Sequence, residues 1–422
     1  MKHFGKIGLC VLLACATGCN FGTVDNPKEH KYLIYNYIPS KNDYELERAK
    51  INTLTNVDAA EGTIAYLRGG GSLATLDTKP TSEAEWKKYL TIENSNTPEI
   101  EYTIESDGTV VPFDFDSAMM LTVYHHLERS RDYFDTIDTE GLNLSANTVG
   151  QEVGRMPCYY YPTISLLGVP LPLFTDNAAY AYTLDAFLIP PRQVFTDAVP
   201  IYANRGVITH EYGHAVFNRL VHNNVRGPLF LQEEWENDIT AKRALNELQG
   251  LDEGIADIFA ALDTKDPDFI AYTIGSQYID RDMSKARYLE DCLFMAINNS
   301  AYPPAESCGG NYGEGVSQPT DSKGVRFDYS ATQAYDSHHL GAVVASVFWA
   351  MRDQTKGTIS DDEWGKIIAK SLRDIQDPEK TFRVAMFFDA LYNNIPTGSQ
   401  GQACLLFKER LPAIQDELQC TL

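Results

Sequence analysis

The chain has 422 residues, more than one hydrophobic core usually holds, so two or three lobes are expected. Its formal net charge is −23, from 35 Lys and Arg against 58 Asp and Glu. This acidic balance argues against a nucleic-acid partner, which requires a basic face, and is consistent with a soluble exported protein. Carboxylates also suit Ca²⁺, but the acidic run at 361–363 matches no EF-hand pattern, so calcium stays open.

The first 19 residues have the pattern of an export signal. Lys2 and Lys6 precede an apolar stretch, residues 7–16, that is too short to span a membrane permanently. The sequence Ala-Thr-Gly-Cys that ends at Cys19 resembles a bacterial lipobox. We therefore expect export and a lipid anchor on Cys19 that attaches the protein to a membrane. Lipidation of Cys15 and ordinary secretion are the alternatives.

Residues 20–30 are a polar tether, and the chain from 31 to 112 is typical of β-strands. Residues 32–38 and 63–67 are rich in β-branched and aromatic side chains, and three glycines follow the second run. Ser106-Asp107-Gly108 separates two further runs and predicts a hairpin. The region is either a reduced propeptide or part of the mature N-terminal lobe.

The sequence His210-Glu211-Tyr212-Gly213-His214 is the strongest chemical signal in the chain. On a helix, positions i and i+4 lie on one face, so both imidazoles can bind one Zn²⁺. Apolar residues flank the motif and no proline interrupts it, which favours a helix. Glu211 can then take a proton from a metal-bound water. By chance, on the order of one chain of this length in a hundred contains such a motif. A third ligand is therefore needed to support the metal site.

The residues immediately after the motif do not supply that third ligand. A metzincin would have glycine three residues and histidine six residues past His214, where this chain has Phe217 and Leu220. His222 lies eight residues past His214 and would point roughly 80° away from it on a 3.6-residue helix.

Residues 251–261 contain the better candidate. Glu253 and Asp257 lie four residues apart in an otherwise apolar run, where a buried acid is costly unless it is paired or metal-bound. We assign Glu253 as the third ligand and Asp257 as the acceptor of a ring N–H from a zinc-bound histidine. A solvated helix face is the alternative, and the apolar neighbours argue against it.

These motifs resemble those of the thermolysin-like metallopeptidases, the gluzincins. HEYGH followed by DEGIADIFA is similar to the family's two metal-binding helices, and the resemblance spans roughly residues 114–349. Residues 113–137 resemble the long tyrosine-rich helix that begins the family's catalytic domain. The resemblance implies an α+β fold of two lobes, a mixed N-terminal lobe and a helical C-terminal lobe, with zinc in the cleft between them.

Three further segments resemble family elements, and the resemblance implies their roles. Asn177 and Ala178 match the edge strand that holds the substrate backbone. Arg281 matches an arginine that supports the site and contacts a substrate carbonyl. Asp336 and His338 match an element in which the aspartate orients the histidine and the histidine stabilises the transition state.

The chain departs from the family at two points. The gap between the second histidine and the third ligand is longer by roughly fifteen to twenty residues. Residues 218–250 are polar and charged, so a loop over the site is expected, and the family's oxyanion-assisting tyrosine cannot be placed there. The histidine is doubled, at His338 and His339, and the three-residue step to Gly341 favours His338.

Helical spacing of apolar residues continues through the C-terminal region, at 338–354, 361–376, 381–394 and 402–419. The chain is accordingly divided into a signal peptide (1–19), a tether and β-rich region (20–112), an N-terminal catalytic lobe (113–265) and a helical C-terminal lobe (266–422).

Export permits disulfides. Cys292 and Cys308 flank a loop rich in Pro and Gly, and Cys404 and Cys420 flank a helical stretch, so these pairs are favoured although spacing alone does not establish the connectivity. Cys158 is then left over and is expected to be buried.

The sequence predicts a zinc endopeptidase that hydrolyses extracytoplasmic peptides or proteins. A gluzincin aminopeptidase and a catalytically inactive lipoprotein used for binding are the alternatives. The intact Glu211 argues against an inactive protein, and no GxMEN motif of the aminopeptidases precedes the metal-binding motif.

Overall fold

α-Helices and mixed β-sheets together build the protein, in agreement with the α+β class predicted from the sequence. The computed structural model describes residues 24–38, 41, 43–73, 92–147, 154–166, 169–172, 178–182, 184–190, 199–223, 239–270, 281–289 and 337–421. Several predicted residues lie outside these ranges: Cys19, Asn177, Cys292, Cys308 and Asp336.

The strands of the described chain are β1 (Lys31–Ile38), β2 (Asp43–Ala49), β3 (Leu54–Asn56), β4 (Glu61–Gly62), β5 (Ala65–Leu73), β6 (Ile92–Asn96), β7 (Tyr102–Ile104), β8 (Thr109–Pro112), β9 (Met156–Tyr160), β10 (Thr163–Leu166), β11 (Val169–Pro172), β12 (Ala179–Ala181) and β13 (Ala186–Ile189). The helices are α1 (Phe115–Ile137), α2 (Arg205–Leu220), α3 (Ile239–Thr264), α4 (Ser337–Gln354), α5 (Asp361–Asp374), α6 (Val384–Asn394) and α7 (Thr397–Arg410).

The smaller sheet has the strand order β2-β1-β8-β7. β1 is antiparallel to β2 and parallel to β8, and β7 and β8 form the predicted hairpin. Gly108 closes this turn with a φ of 84°, a conformation that glycine adopts without steric cost. Tyr32 and Ile34 alternate toward the interior from β1, which packs against α1.

The larger sheet follows the order β11-β10-β5-β9-β13-β12 and has β5 at its centre. β5 is parallel to both β9 and β10, and β12 ends the path antiparallel to β13. The predicted strand at 63–67 was too short, because β5 continues through its three glycines to Leu73. Gly69 and Gly70 pair with β6 through backbone groups, which need no side chain.

The predicted boundary at residue 112 does not separate two cores. Ile34 and Val110 of the N-terminal region share one buried apolar cluster with Met119 of α1 and Phe348 of α4. β5, which also precedes the boundary, forms the middle of the larger sheet. The N-terminal strands are therefore an integral part of the structure that contains α2 and α3.

Helix α3 is longer than predicted, and this corrects the two ends of the loop expected over residues 218–250; residues 224–238 lie outside the described residues. Residues 218–220 still belong to α2, and residues 239–250 form the first half of α3. The reason is a helical repeat of apolar positions, all of them buried: Ala241, Ala244, Leu245 and Leu248. The charged residues between them had made this stretch resemble a loop.

The C-terminal helices agree with the sequence analysis except for the last. Instead of covering 402–419, α7 begins at Thr397 and ends at Arg410. Pro412 ends it, because proline lacks the N–H that would continue the helix and disfavours helical geometry at the residue before it. Among the helices that the structure describes, none is both long and apolar enough to cross a membrane.

The structure pairs Cys404 with Cys420, as the sequence analysis favoured. Their Cα atoms are 5.6 Å apart, and the bond links α7 to the chain that follows its terminal 3₁₀ turn. Cys158 is a free, fully buried cysteine on β9, and burial raises the pKa of its thiol. A buried thiol of this kind packs as a small apolar side chain.

Candidate metal centre

Three side chains from α2 and α3 converge on one point and could hold a metal ion. Nε2 of His210 and Nε2 of His214 are 3.2 Å apart. Oε2 of Glu253 is 3.5 Å from the first nitrogen and 3.8 Å from the second. Ligand atoms bonded tetrahedrally at zinc distances are separated by about 3.4 Å, so the three atoms fit one ion without rearrangement of the helices.

Helix α2 presents the two histidines on one face because they are four residues apart, and its N-terminus is fixed by a cap. The Asn204 side chain caps the helix by accepting a hydrogen bond of 2.8 Å from the backbone of Gly206. The same side chain donates to the carbonyl of Phe269 over 2.7 Å. The capped helix then places residues 210 and 214 one turn apart, toward α3.

Two close helix contacts bring Glu253 to the histidines and α4 to Glu253. A Cβ added to Gly213 of α2 would lie 2.8 Å from the Cα of Ala256 on α3. A Cβ added to Gly341 of α4 would lie 2.8 Å from the Cβ of Glu253 and 2.9 Å from the backbone nitrogen of Gly254. Only glycine fits at these two positions, so the separation between the three helices depends on them.

Each ligand histidine has a carboxylate behind it. Nδ1 of His210 lies 2.9 Å from Oδ1 of Asp257, the residue that was predicted to lie behind a ligand histidine. Nδ1 of His214 lies 2.9 Å from Oδ1 of Asp252. Asp252 was not predicted, because only the acids four residues apart on α3, Glu253 and Asp257, repeat with the period of a helix face. The sequence signal that could have identified Asp252 is its position immediately before the predicted ligand Glu253.

Arg281 neutralises part of this negative charge. Its Nε and Nη2 atoms donate to the two oxygens of Asp257 over 3.0 and 2.6 Å, and Nη2 also lies 3.5 Å from Oε2 of Glu253. Burial disfavours the charge on Asp257, but Arg281 and His210 together outweigh burial and lower the pKa of the carboxyl. Arg281 thus lies where the sequence analysis expected an arginine that supports the site.

Glu211 lies beside the centre without belonging to the ligand set. Its Oε2 accepts a hydrogen bond of 2.8 Å from the backbone N–H of Tyr180 in β12. Burial raises the pKa of Glu211 to about 7; the charge of His214 opposes the rise and the charge of Glu253 adds to it. A carboxyl group in this range can both take up and release a proton near neutral pH.

Tyr182, one residue past β12, also reaches the centre. Its hydroxyl donates to Oδ2 of Asp252 and lies 3.2 Å from Nδ1 of His214. Tyr182 was not predicted, because only the folded chain brings the end of β12 against α3. The alternating Ala-Tyr-Ala-Tyr sequence after Ala178 was the only local signal.

The carboxylates draw positive charge into the centre. Burial opposes protonation of His214, yet Asp252 and Glu253 outweigh burial and raise its pKa to about 10. Burial would also raise the pKa of Glu253, but His338 and His214 lower it well below its usual value. The arrangement therefore favours a cation among the three ligand atoms.

His338, on the first turn of α4, approaches Glu253 from a third direction. Its Nε2 lies 3.2 Å from Oε2 of Glu253, the same oxygen that faces the two ligand histidines. The side chain is 34% exposed, so it lies at the open side of the centre. Asp336, predicted to orient His338, lies outside the described residues, and so does the side chain of His339.

The acidic run at 361–363, considered for calcium, serves helix α5 in the structure. These residues occupy its first turn, where negative charge is stabilised by the helix dipole. Ser360 and Glu363 form a capping box, and Asp361 is paired with Arg352. Among the described residues, His210, His214 and Glu253 are the one group of three or more side chains that could together hold a metal ion.

Comparison of the chain with protein-family models and with curated proteins finds no match.

Replacing Gly341 with alanine should destabilise the protein. The added methyl would overlap Glu253 and the backbone of Gly254, and overpacking of this kind costs about 1–3 kcal/mol. The better helix propensity of alanine recovers at most about 1 kcal/mol. Thermal unfolding should therefore show a lower Tm than the wild type.

Gly401→Ala is the matched control, since Gly401 lies in helix α7 with no atom within 4 Å of an added Cβ. Its Tm should equal or exceed that of the wild type. A Gly341→Ala protein as stable as the Gly401→Ala protein would show that the α3–α4 contact is not as close as described.

Proposed function

We propose that the protein is a zinc-dependent endopeptidase of the thermolysin-like class. The observation that carries the proposal is the convergence of His210, His214 and Glu253 with Glu211 beside them. Zinc-dependent peptide hydrolysis requires three protein ligands and a general base. Here the ligands would be two histidines one helical turn apart and one carboxylate, and the base would be the adjacent glutamate that does not bind the metal. The resemblance in the order of sequence motifs supports the same class.

The ligand set favours zinc over the other common ions. Two imidazole nitrogens and one carboxylate oxygen suit a borderline-soft ion, whereas Ca²⁺ and Mg²⁺ take oxygen ligands. Three protein ligands leave a fourth position open, as in catalytic zinc sites. A zinc ion at this centre would supply Lewis acidity, which activates water and polarises a peptide carbonyl.

Glu211 would move the protons of the reaction. It would take a proton from the attacking water and deliver it to the leaving amine. Its buried carboxyl, with a pKa raised to about 7, is suited to both steps. The backbone N–H of Tyr180 donates a hydrogen bond to Glu211 and holds its carboxyl beside β12. The position of the proposed base is therefore fixed relative to the strand along which the substrate would bind.

The peptide substrate would bind along β12 in extended form. β12 is the last strand on the path of the larger sheet, and an extended peptide can add to such an edge through backbone hydrogen bonds. Asn177 and Ala178 immediately precede the strand and would hold the substrate backbone, with Arg281 near a substrate carbonyl. Recognition through the backbone suits a protease that cleaves within a chain.

His338 would stabilise the oxyanion that forms as the peptide bond is attacked. Its ring lies at the open side of the centre and its Nε2 is close to the ligand oxygen of Glu253. A donor in this position acts mainly in the transition state. The proposal includes the two-lobed arrangement of the class, in which α2 and β12 supply the N-terminal side of the cleft and α4 the C-terminal side.

The proposal is tested by assaying cleavage of a peptide blocked at both ends against one with a free N-terminus. The wild type should cleave the blocked peptide, whereas an aminopeptidase would require the free amine and an inactive binding protein would cleave neither. Glu211→Gln should keep its zinc yet lose activity by about 10²–10⁴-fold, since the general base is removed.

Glu253→Gln is the matched control, because it makes the same change in a residue assigned to the metal. It should lower the zinc content measured by atomic emission. Zinc lost from Glu211→Gln and retained in Glu253→Gln would exchange the two roles. Failure of the wild type to cleave either peptide would contradict the peptidase proposal.

We also propose that Cys19 carries a lipid anchor, so that the substrates are extracytoplasmic. Wild-type protein should then sediment with membranes, and Cys19→Ser should be released in soluble and active form. Stable anchoring requires more than one acyl chain, which a lipoprotein cysteine supplies. A wholly soluble wild type with a mature N-terminus other than residue 19 would contradict the anchor and support ordinary secretion.

A further inference from the structure

The support of His214 differs from that of His210. Asp257, behind His210, is held by the guanidinium of Arg281 through two hydrogen bonds. Asp252, behind His214, is held by the neutral hydroxyl of Tyr182. Each ligand histidine thus has its own carboxylate, and each carboxylate has its own donor.

The Tyr182 hydroxyl has one proton, which can serve a single acceptor well. Of its two neighbours, the Asp252 carboxylate is the stronger acceptor, so the proton goes to Oδ2 of Asp252. Oδ1 of Asp252 is then left to accept the Nδ1–H of His214 over 2.9 Å. With a metal ion bound at Nε2, this pattern would keep the ring proton of His214 on Nδ1 and leave the Nε2 lone pair to the ion, on the side that faces Glu253 and His210.

Tyr182 also belongs to the segment that holds the base. Tyr180 and Tyr182 are two residues apart, and their rings contact edge to face at 5.1 Å. The backbone of Tyr180 holds Glu211, and the side chain of Tyr182 holds Asp252. The end of β12 is therefore attached to both the proposed base and a ligand histidine. A displacement of this strand would be transmitted to both.

We infer that Tyr182 is a positioning residue for the metal centre, which it controls through Asp252 and His214. The inference depends on the proposed function in two respects only: that the metal is zinc, and that β12 is the strand that binds the substrate. Its consequence is that the ligand geometry at His214 depends on the position of β12. Removing the hydroxyl should loosen His214 even though the hydroxyl is not itself one of the proposed metal ligands.

The test measures the zinc dissociation constant of the purified full-length protein by competition with a chelator. Tyr182→Phe keeps the ring and removes only the hydroxyl, and the affinity for zinc should fall about 10- to 100-fold. Tyr32→Phe is the matched control. It also removes a buried hydroxyl that donates a hydrogen bond, to the carbonyl of Pro27, but it lies in the smaller sheet. Its zinc affinity should equal that of the wild type.

A double-mutant cycle distinguishes action through Asp252 from a merely structural role. If Tyr182 acts through Asp252, then Asp252→Ala should lose at least as much affinity as Tyr182→Phe, and the double variant should be no worse than Asp252→Ala alone. Losses that add in the double variant, or wild-type zinc affinity in Tyr182→Phe, would overturn the inference. Because zinc affinity is measured without substrate, a protein that binds zinc but cleaves no peptide would contradict the peptidase proposal alone.

Discussion

The placement of three acids within six residues of α3, against the histidines of α2, is the constraint on which the rest of the centre depends. Asp252 and Asp257 are buried and the side chain of Glu253 is 17% exposed, and removing a carboxylate from water costs several kcal/mol unless a partner compensates it. Arg281 and Tyr182 each compensate one of the outer acids. Glu253, between them, faces three histidine rings and would be compensated most fully by a cation.

Close packing of the helices makes this burial possible. Gly213 allows α3 to approach the histidines, and Gly341 allows α4 to approach Glu253. The larger sheet then adds β12 from the other direction, and its backbone and side chains reach Glu211 and Asp252. β5, before residue 112, lies at the centre of that sheet, so the position of β12 depends on the N-terminal strands as well as on the segment that carries the motifs.

Helical periodicity accounts for the metal-binding residues that could be predicted from the sequence, whereas Arg281 and His338 were predicted only from the resemblance to a family. His210 and His214, and then Glu253 and Asp257, each repeat at four residues, a spacing that places them on one helix face. Asp252 and Tyr182 were not predicted because neither has a periodic partner; they reach His214 only through the packing of α3 against the end of β12. Likewise, the first half of α3 was mistaken for a loop because its charged residues obscured a short apolar repeat.

The central claim is that α2 and α3 together bind one zinc ion. Anomalous diffraction at the zinc absorption edge, from crystals of the purified protein grown without added metal, tests it most directly. The account predicts one strong peak within about 2.0–2.2 Å of Nε2 of His210, Nε2 of His214 and a carboxylate oxygen of Glu253. Absence of a peak there, or a metal bound by other residues, would contradict it.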